Sequence, residues 1–205
     1  GNGPALLAEA RKANDEGDWD KAIAKLNQAL GNRPPVGDIA FEYYRYLSNT
    51  KNGWQQTKVG LERLQREMPG DPRVPMALAM LYIRNEATRY EGIKMMAALT
   101  KIKATSGYAE EGWRMALTWI SPTNEGSIAA YETYLKSHPD DTEIRDLLAQ
   151  ARKARTEQAR ADSAAAAAAL PPPLPAENVA GFKALEKGDA AAAEADFSSA
   201  RGSRA

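Results

Sequence analysis

An all-α solenoid of stacked helix pairs is the fold class this sequence predicts, on three observations. The first is local. Between Pro4 and Pro35 lie two short amphipathic segments, joined at Glu16-Gly17-Asp18 and closed by Pro34-Pro35. Leu6, Ala10 and Ala13 share a helical face of the first segment, and Ala22, Leu26 and Ala29 share one of the second. The second is a repetition. Gly181, Gly188, Asp189, Ala193, Phe197 and Ala200 restate Ala10, Gly17, Asp18, Ala22, Leu26 and Ala29 at the same internal spacing. The offset is close to five periods of about 34 residues, the helix–turn–helix period of tetratricopeptide repeats. The third is composition. The 43% hydrophobic residues are spread evenly, which suits units that each cover a neighbour better than one central core. A tetratricopeptide-repeat, right-handed superhelical solenoid is therefore expected, interrupted by a long helix and a Pro-rich linker. An unrelated helical bundle would need its glycine turns to fall in phase by chance.

The first pair sets the pattern. Gly17 stands where the first helix must stop, since glycine enters the left-handed conformation cheaply. Asp18 follows as N-cap of the second helix, and Pro34 forbids more helix. Ala10 and Ala22 let the two helices approach closely. The second pair runs from about Val36 to Asp71, with Tyr44, Leu47 and Ser48 at the large, Leu and small positions of its first helix, Gly60 and Leu64 on its second, and a turn at Lys51-Asn52-Gly53. Pro69 and Pro72 end it. The third, about Pro72 to Ser106, has Leu78, Ala79 and Tyr82 on its first helix and Gly92, Met96 and Leu99 on its second, with an extra residue in the turn Asn85 to Arg89.

The fourth pair is degenerate. Ser127, Tyr131 and Pro139 keep the spacing of its second helix, while Trp113 and Trp119 enlarge the first and are expected to fill core. Residues 1–140 thus read as four helix pairs and 141–170 as a long charged, alanine-rich helix. In that helix Ile144, Leu147, Leu148 and Ala151 form the apolar stripe, and the residues beyond Ala154 are polar or alanine. Pro171-Pro172-Pro173 and Pro175 make residues 171–175 an extended linker, and 176–205 open a further, truncated repeat. A helix with little to bury, followed by prolines that cannot continue it, is expected to act as a hinge between Arg155 and Pro175.

Several functions lose support here. Lys plus Arg and Asp plus Glu balance at 27 each, so no net field draws the chain to nucleic acid or an anionic membrane. No cysteine is present, which removes disulfides and thiolate metal sites. No apolar run approaches the roughly 18 residues a membrane helix needs. The single histidine, His138, precedes Pro139 at a helix end, where capping is its ordinary role. Asp140-Asp141 and Glu110-Glu111 read as helix N-terminal charges. No catalytic residue, metal site or cofactor is assigned. The chain opens without Met and stops at Ala205 before a closing proline, so it reads as a piece of a longer protein.

Binding is the remaining prospect. The first helix of each pair lines the inner groove of such a solenoid, so its outward polar positions are the candidates. These are Arg11 and Asn14 on the first pair, Glu42, Arg45 and Asn49 on the second, and Arg73, Met76, Met80 and Arg84 on the third. Phe41, Tyr43, Tyr44, Tyr46 and Trp54 could form a platform for sugar rings or an extended peptide. Aromatics at helical spacing more often fill seams between helices, and that reading is preferred.

A family resemblance adds to this. The stretch Arg84-Asn85-Glu86-Ala87-Thr88-Arg89-Tyr90-Glu91-Gly92-Ile93 resembles one in the cellulose synthase operon protein C family. So do Trp119-Ile120-Ser121-Pro122, the run Ser127 to Leu135, and the renewed repeat at Ala180-Gly181-Phe182-Lys183-Ala184-Leu185. The resemblance implies a periplasmic repeat region of a bacterial cellulose export subunit, in which the repeats precede an outer-membrane β-barrel. It implies a non-enzymatic scaffold that contacts other subunits of the cellulose synthase and export complex. Two alternatives stand beside it: direct binding of the cellulose or glucan chain in the groove, and a generic peptide-binding tetratricopeptide adaptor. No site residue is carried over from the family.

Overall fold

Helices stacked in chain order build the protein. The computed structural model describes residues 2–176 together with Lys183 and Leu185. The recurrence of the first pair at Gly181 to Ala200 and the truncated repeat therefore lie outside the described residues, apart from Ala176, Lys183 and Leu185. The chain divides into two units, Gly1–Arg155 and Thr156–Ala205. Four helix pairs make up most of the first: α1 (Gly3–Asp15) with α2 (Trp19–Leu30), α3 (Asp38–Leu47) with α4 (Gly53–Glu67), α5 (Arg73–Arg84) with α6 (Arg89–Leu99), and α7 (Ser106–Trp119) with α8 (Ser127–Ser137). Then comes α9 (Thr142–Ala169). There is no strand among the described residues.

The turns work as the sequence requires. Gly17 has φ +75°, and the Asp18 side chain accepts from the Lys21 backbone N–H at 3.1 Å. At the other end α2 stops earlier than the proline expectation. Gly31 takes the left-handed conformation at φ 62°, and the backbone N–H groups of Gly31 and Asn32 return to Gln28 and Asn27. Pro34 therefore follows a helix already ended. Gly53 does not sit in the turn but opens α4, where a Cβ would strike the Leu47 carbonyl. The extra residue near Asn85 is absorbed by a short 3₁₀ turn, Glu86–Thr88, whose first N–H groups Asn85 helps to satisfy.

Packing is sequential, as in a solenoid. From α1 to α8 each helix packs on the next, and α5 also touches α7 while α6 touches α8, so one pair seats on the following pair. The core accordingly forms three clusters along the chain. Ala10, Ala13, Ala22 and Leu26 pack with Tyr46 of the second pair. Tyr44, Leu47, Leu61 and Leu64 pack with Val74, Leu78 and Leu81 of α5. The other face of α5, Ala79 and Ile83, joins Met96, Trp113, Leu117 and Tyr131. Helix α5 thus serves two clusters, which is how stability passes from repeat to repeat.

Residue sizes are reciprocal across a pair. Ala10 and Ala22 are both fully buried. In the second pair the first helix carries the large Tyr44, and the facing Gly60 leaves room for its ring. Leu6 and Ala29 are only half-buried, and Leu7 packs on the first cluster instead.

Repeat four brings a correction. Trp113 is buried at 5% exposure and fills core, but Trp119 is 43% exposed. Trp119 is the last residue of α7, and its ring lies under the Arg89 guanidinium at 5.7 Å rather than in a seam. Glu110 and Glu111 lie beyond the first turn of α7, so they do not cap it. Asp141 does cap, accepting from the Ile144 N–H at 3.3 Å. In α9 Ile144, Leu148 and Ala151 are buried and Leu147 is half-buried, while every residue from Arg155 to Leu170 is exposed.

Candidate functional site

The first helices α3 and α5 lie side by side over α4, and the sequence explains what they leave between them. On α3, Glu42, Arg45 and Ser48 recur at three-residue steps and share one face. On α5, Ala77, Met80 and Arg84 form the opposing stripe. With Phe41, Tyr44, Thr57, Leu61 and Leu81 they enclose a cavity of about 470 Å³. Its volume lies within the roughly 300–1,000 Å³ of small-ligand sites, and its walls are mostly apolar, as such sites are.

The polar rim is organised by arginines. Arg11 of α1 donates to both Glu42 carboxylate oxygens, Nε to Oε1 at 2.8 Å and Nη2 to Oε2 at 3.1 Å. The Tyr46 hydroxyl donates to the same Oε1 at 2.6 Å. The Glu42 carboxyl is held below the usual carboxylate range, chiefly by the Arg11 hydrogen bond and further by Tyr46. At the far end Arg84 donates to Ser48 Oγ at 3.0 Å and Asn49 Oδ1 at 2.6 Å, both neutral acceptors. Arg73 donates to Asp38 at 2.7 Å and to Asp71, and its guanidinium covers the Phe41 ring at 4.4 Å. The two arginines that end α5 thus lace it to α3 at both ends.

Arg11, Glu42, Arg45, Asn49, Arg73 and Arg84 all lie on or just after these first helices, and two direct bonds join members of the set, Arg11 to Glu42 and Arg84 to Asn49. Glu42, Arg45, Met80 and Arg84 line the cavity itself. Met76 is half-buried, packed against the third cluster of the chain, and Asn14 is half-buried on α1, with no side-chain bond to the others. The aromatics divide: Tyr44 and Tyr46 are buried, Tyr43 and Trp54 half-buried. Tyr43 donates to Asn27 at 2.9 Å, and Trp54 Nε1 donates to the Leu81 carbonyl at 3.0 Å. They are structural members of the seams.

Thr57 is the residue that sequence reading passed over. It is 1% exposed, lines the cavity, and its hydroxyl has no hydrogen-bond partner. Its signal was a polar residue on the same stripe as Trp54, Leu61 and Leu64. A second cavity, of about 530 Å³, lies between α6 and α8 with Trp113 and Tyr90 in its wall. Ala97, Gly126, Ala129 and Ala130 line it, too small to close the gap.

Around His138 the bonds are structural. Its Nε2 pairs with Glu110 at 2.7 Å, its Nδ1 lies 3.1 Å from the Tyr134 carbonyl, and its ring stacks on Tyr134 at 4.1 Å. Helix α8 is thereby fastened to α7. No group of His, Cys, Asp and Glu among the described residues could hold a metal ion.

Comparison with known proteins agrees with this architecture. No family model matches the chain. It is 40% identical over 144 residues to the cellulose synthase operon protein C of Pseudomonas fluorescens, covering 70% of this chain and 11% of the relative. It is 36% identical over 152 residues to the protein of that name from Xanthomonas axonopodis pv. citri, covering 73% of this chain and 10% of the relative. The chain therefore spans about a tenth of the length of these relatives. A crystal structure of the flexible tandem repeat domain of a bacterial cellulose synthase subunit superposes with a TM-score of 0.54. That match covers 75% of this chain and 62% of the other at 20% identity, and it speaks for the fold alone. Identity of 40% and 36% over 70% or more of this chain shows that it belongs to the cellulose synthase operon protein C family.

Proposed function

We propose that this chain is a non-enzymatic, periplasmic interaction module in a bacterial cellulose synthesis and export complex, acting as a scaffold for other subunits. The observation that carries the reading is the groove along α1, α3 and α5. It is a preformed surface with an apolar cavity and an arginine rim, held in place by bonds between successive repeats. A repeat array offers an extended surface of this kind to a partner without reshaping its core. The relatives' names supply the cellulose context. No helix among the described residues is long and apolar enough to cross a membrane, so insertion by this segment is not part of the proposal.

Glucan binding through the α3 aromatics has less support. Tyr44 and Tyr46 are buried, and Arg73 covers Phe41, so no broad aromatic face is left open for a sugar ring. A neutral polymer would also bring no carboxylate to Arg84, whose guanidinium donates to the neutral Ser48 and Asn49.

The test is an in-frame deletion of the four helix pairs from the full-length protein in a cellulose-producing cell. Cellulose outside the cell should fall, while synthase activity in isolated membranes persists. Unchanged export would overturn the scaffold role. Loss of membrane synthase activity in step with export would point to a part in synthesis instead.

A further inference from the structure

We propose that Met80 is an oxidation site whose sulfoxide loosens the joint between the third and fourth helix pairs, with hydrogen peroxide as the oxidant. The sulfur chemistry of the chain is concentrated at that joint. No cysteine is present, and five of the six methionines fall between Met76 and Met115. All five, Met76, Met80, Met95, Met96 and Met115, belong to the cluster that α5 and α6 share with α7, α8 and α9. Thioethers suit such a seam because they are unbranched and adaptable. They are also the side chains that a peroxide converts from apolar to polar.

Two of the five differ in access. Met80 is half-buried and lines the cavity of about 470 Å³ between α3, α4 and α5, which has room for water-sized molecules. Hydrogen peroxide is little larger than water. Met96, by contrast, is 0% exposed. Both sulfurs nevertheless meet at one point of α7. A Cβ placed on Gly112 would lie 3.0 Å from Met96 Sδ and 3.8 Å from Met80 Sδ. Gly112 is itself buried, so the α5–α7 contact closes over two thioethers.

In the reaction a lone pair on the Met80 sulfur attacks one peroxide oxygen, and the S–O bond forms as the O–O bond breaks. The proton on the transferred oxygen passes to the departing hydroxide, which leaves as water. Sulfur loses two electrons and the peroxide gains them. Left in the seam, the new oxygen lies against Gly112 and Met96, which offer it no side-chain donor, and a buried acceptor without a partner is costly. Turned into the cavity, it draws the Met80 side chain off Gly112. In either position the contact between α5 and α7 weakens, and Met96 behind it opens to a second oxidation. Repeats in a solenoid are coupled through contact with their neighbours, so the loosening stays at this joint. Met68, the sixth methionine, packs on the cluster of the second pair and serves as an internal reference.

The experiment treats the 205-residue chain with hydrogen peroxide and follows each methionine by peptide mass spectrometry. Met80 should oxidise about tenfold faster than Met96, since one sulfur is reached from solvent and the other only through local opening. Met80→Leu, a swap close in volume, should slow oxidation of Met96 about fivefold or more, although Met96 itself is unaltered. Met68→Leu should leave the Met96 rate unchanged. Hydrogen exchange in the oxidised chain should rise in α7 and stay as before in α1 and α2. Methionine sulfoxide reductase should restore the original pattern, a reversal that a purely packing role for these sulfurs does not give. Met80→Gln, polar and of similar length, should reproduce the raised exchange without oxidant. Should Met80→Leu fail to fold, the order of oxidation in the unaltered protein and its reversal by the reductase still decide. Met80 spared while Met76 or Met115 oxidises, Met96 oxidising as fast as Met80, or a Met96 rate indifferent to Met80→Leu would each overturn the proposal. So would exchange rising equally in α1 and α2, or Met80→Gln without effect on α7.

Discussion

The Tyr134 hydroxyl donates to Asp141 Oδ2 at 2.8 Å, and this bond joins the second helix of the fourth pair to the cap of α9. Arg114 of α7 reaches the same carboxylate with Nε at 2.8 Å and Nη2 at 3.2 Å, so Asp141 ties three helices. Where the apolar stripe of α9 is short, this node helps to fix its start.

Asp141→Asn should therefore destabilise the fourth pair at neutral pH by about 1–3 kcal/mol, the cost of weakening charge-assisted bonds at a largely buried acceptor. Arg114 above all, and then the Tyr134 hydroxyl, holds the Asp141 carboxyl below its usual value of 3.8. A carboxyl depressed in the folded state stabilises above its unfolded pKa, and that stability is lost as pH falls through the folded value. Urea melts of the two proteins should differ at pH 7 and converge well below pH 4. A constant difference across that range would contradict the assignment.

At the alkaline end the sign reverses. Burial pushes the Tyr131 and Tyr134 phenols up to about 12, with Asp141 adding to the shift of Tyr134. Their neutral forms are favoured in the fold, so their contribution is full below the ordinary value of 10 and is lost as pH rises through about 12. Ultraviolet titration should show two phenols ionising together with a loss of helical circular dichroism. Ionisation of all tyrosines near pH 10 without unfolding would count against it.

Two glycines should respond oppositely to alanine. Gly53→Ala drives a Cβ into the Leu47 carbonyl, backbone that cannot step aside, and should cost about 1–3 kcal/mol. Gly107 is in the first turn of α7 with open space around it, so Gly107→Ala should be neutral or add up to about 1 kcal/mol. Thermal melts of both variants decide it, and equal shifts would sink the distinction.

We further propose that the exposed stretch from Arg155 to Pro175 is a hinge between repeat groups. Every residue from Arg155 to Leu170 is exposed, so this part of α9 holds little packing that would resist opening. Limited trypsin digestion should cut first at Arg155 or Arg160. First cleavage instead at Arg66 or Lys101, with α9 intact, would be inconsistent with a hinge here.

The sequence by itself determined the order and type of the helices, because period, glycine turns and prolines act within a few residues. Gly17 and Asp18 end one helix and start the next without help from the rest of the chain. It also determined that the α3 aromatics would be used in packing and that the apolar stripe of α9 would stop near Ala154. Only the tertiary structure decided which polar residues meet. Arg11 finds Glu42, and Arg84 finds Ser48 and Asn49, across the boundary between repeats, and no periodicity within one helix records such pairings. Trp119 shows the same limit. Its composition promised core, but its place at the last turn of α7 left it 43% exposed, with its ring against the Arg89 guanidinium at the start of α6. The Thr57 hydroxyl is the clearest case. Its position on the buried stripe is legible in the sequence, whereas a hydroxyl buried without a hydrogen-bond partner appears only in the packed structure.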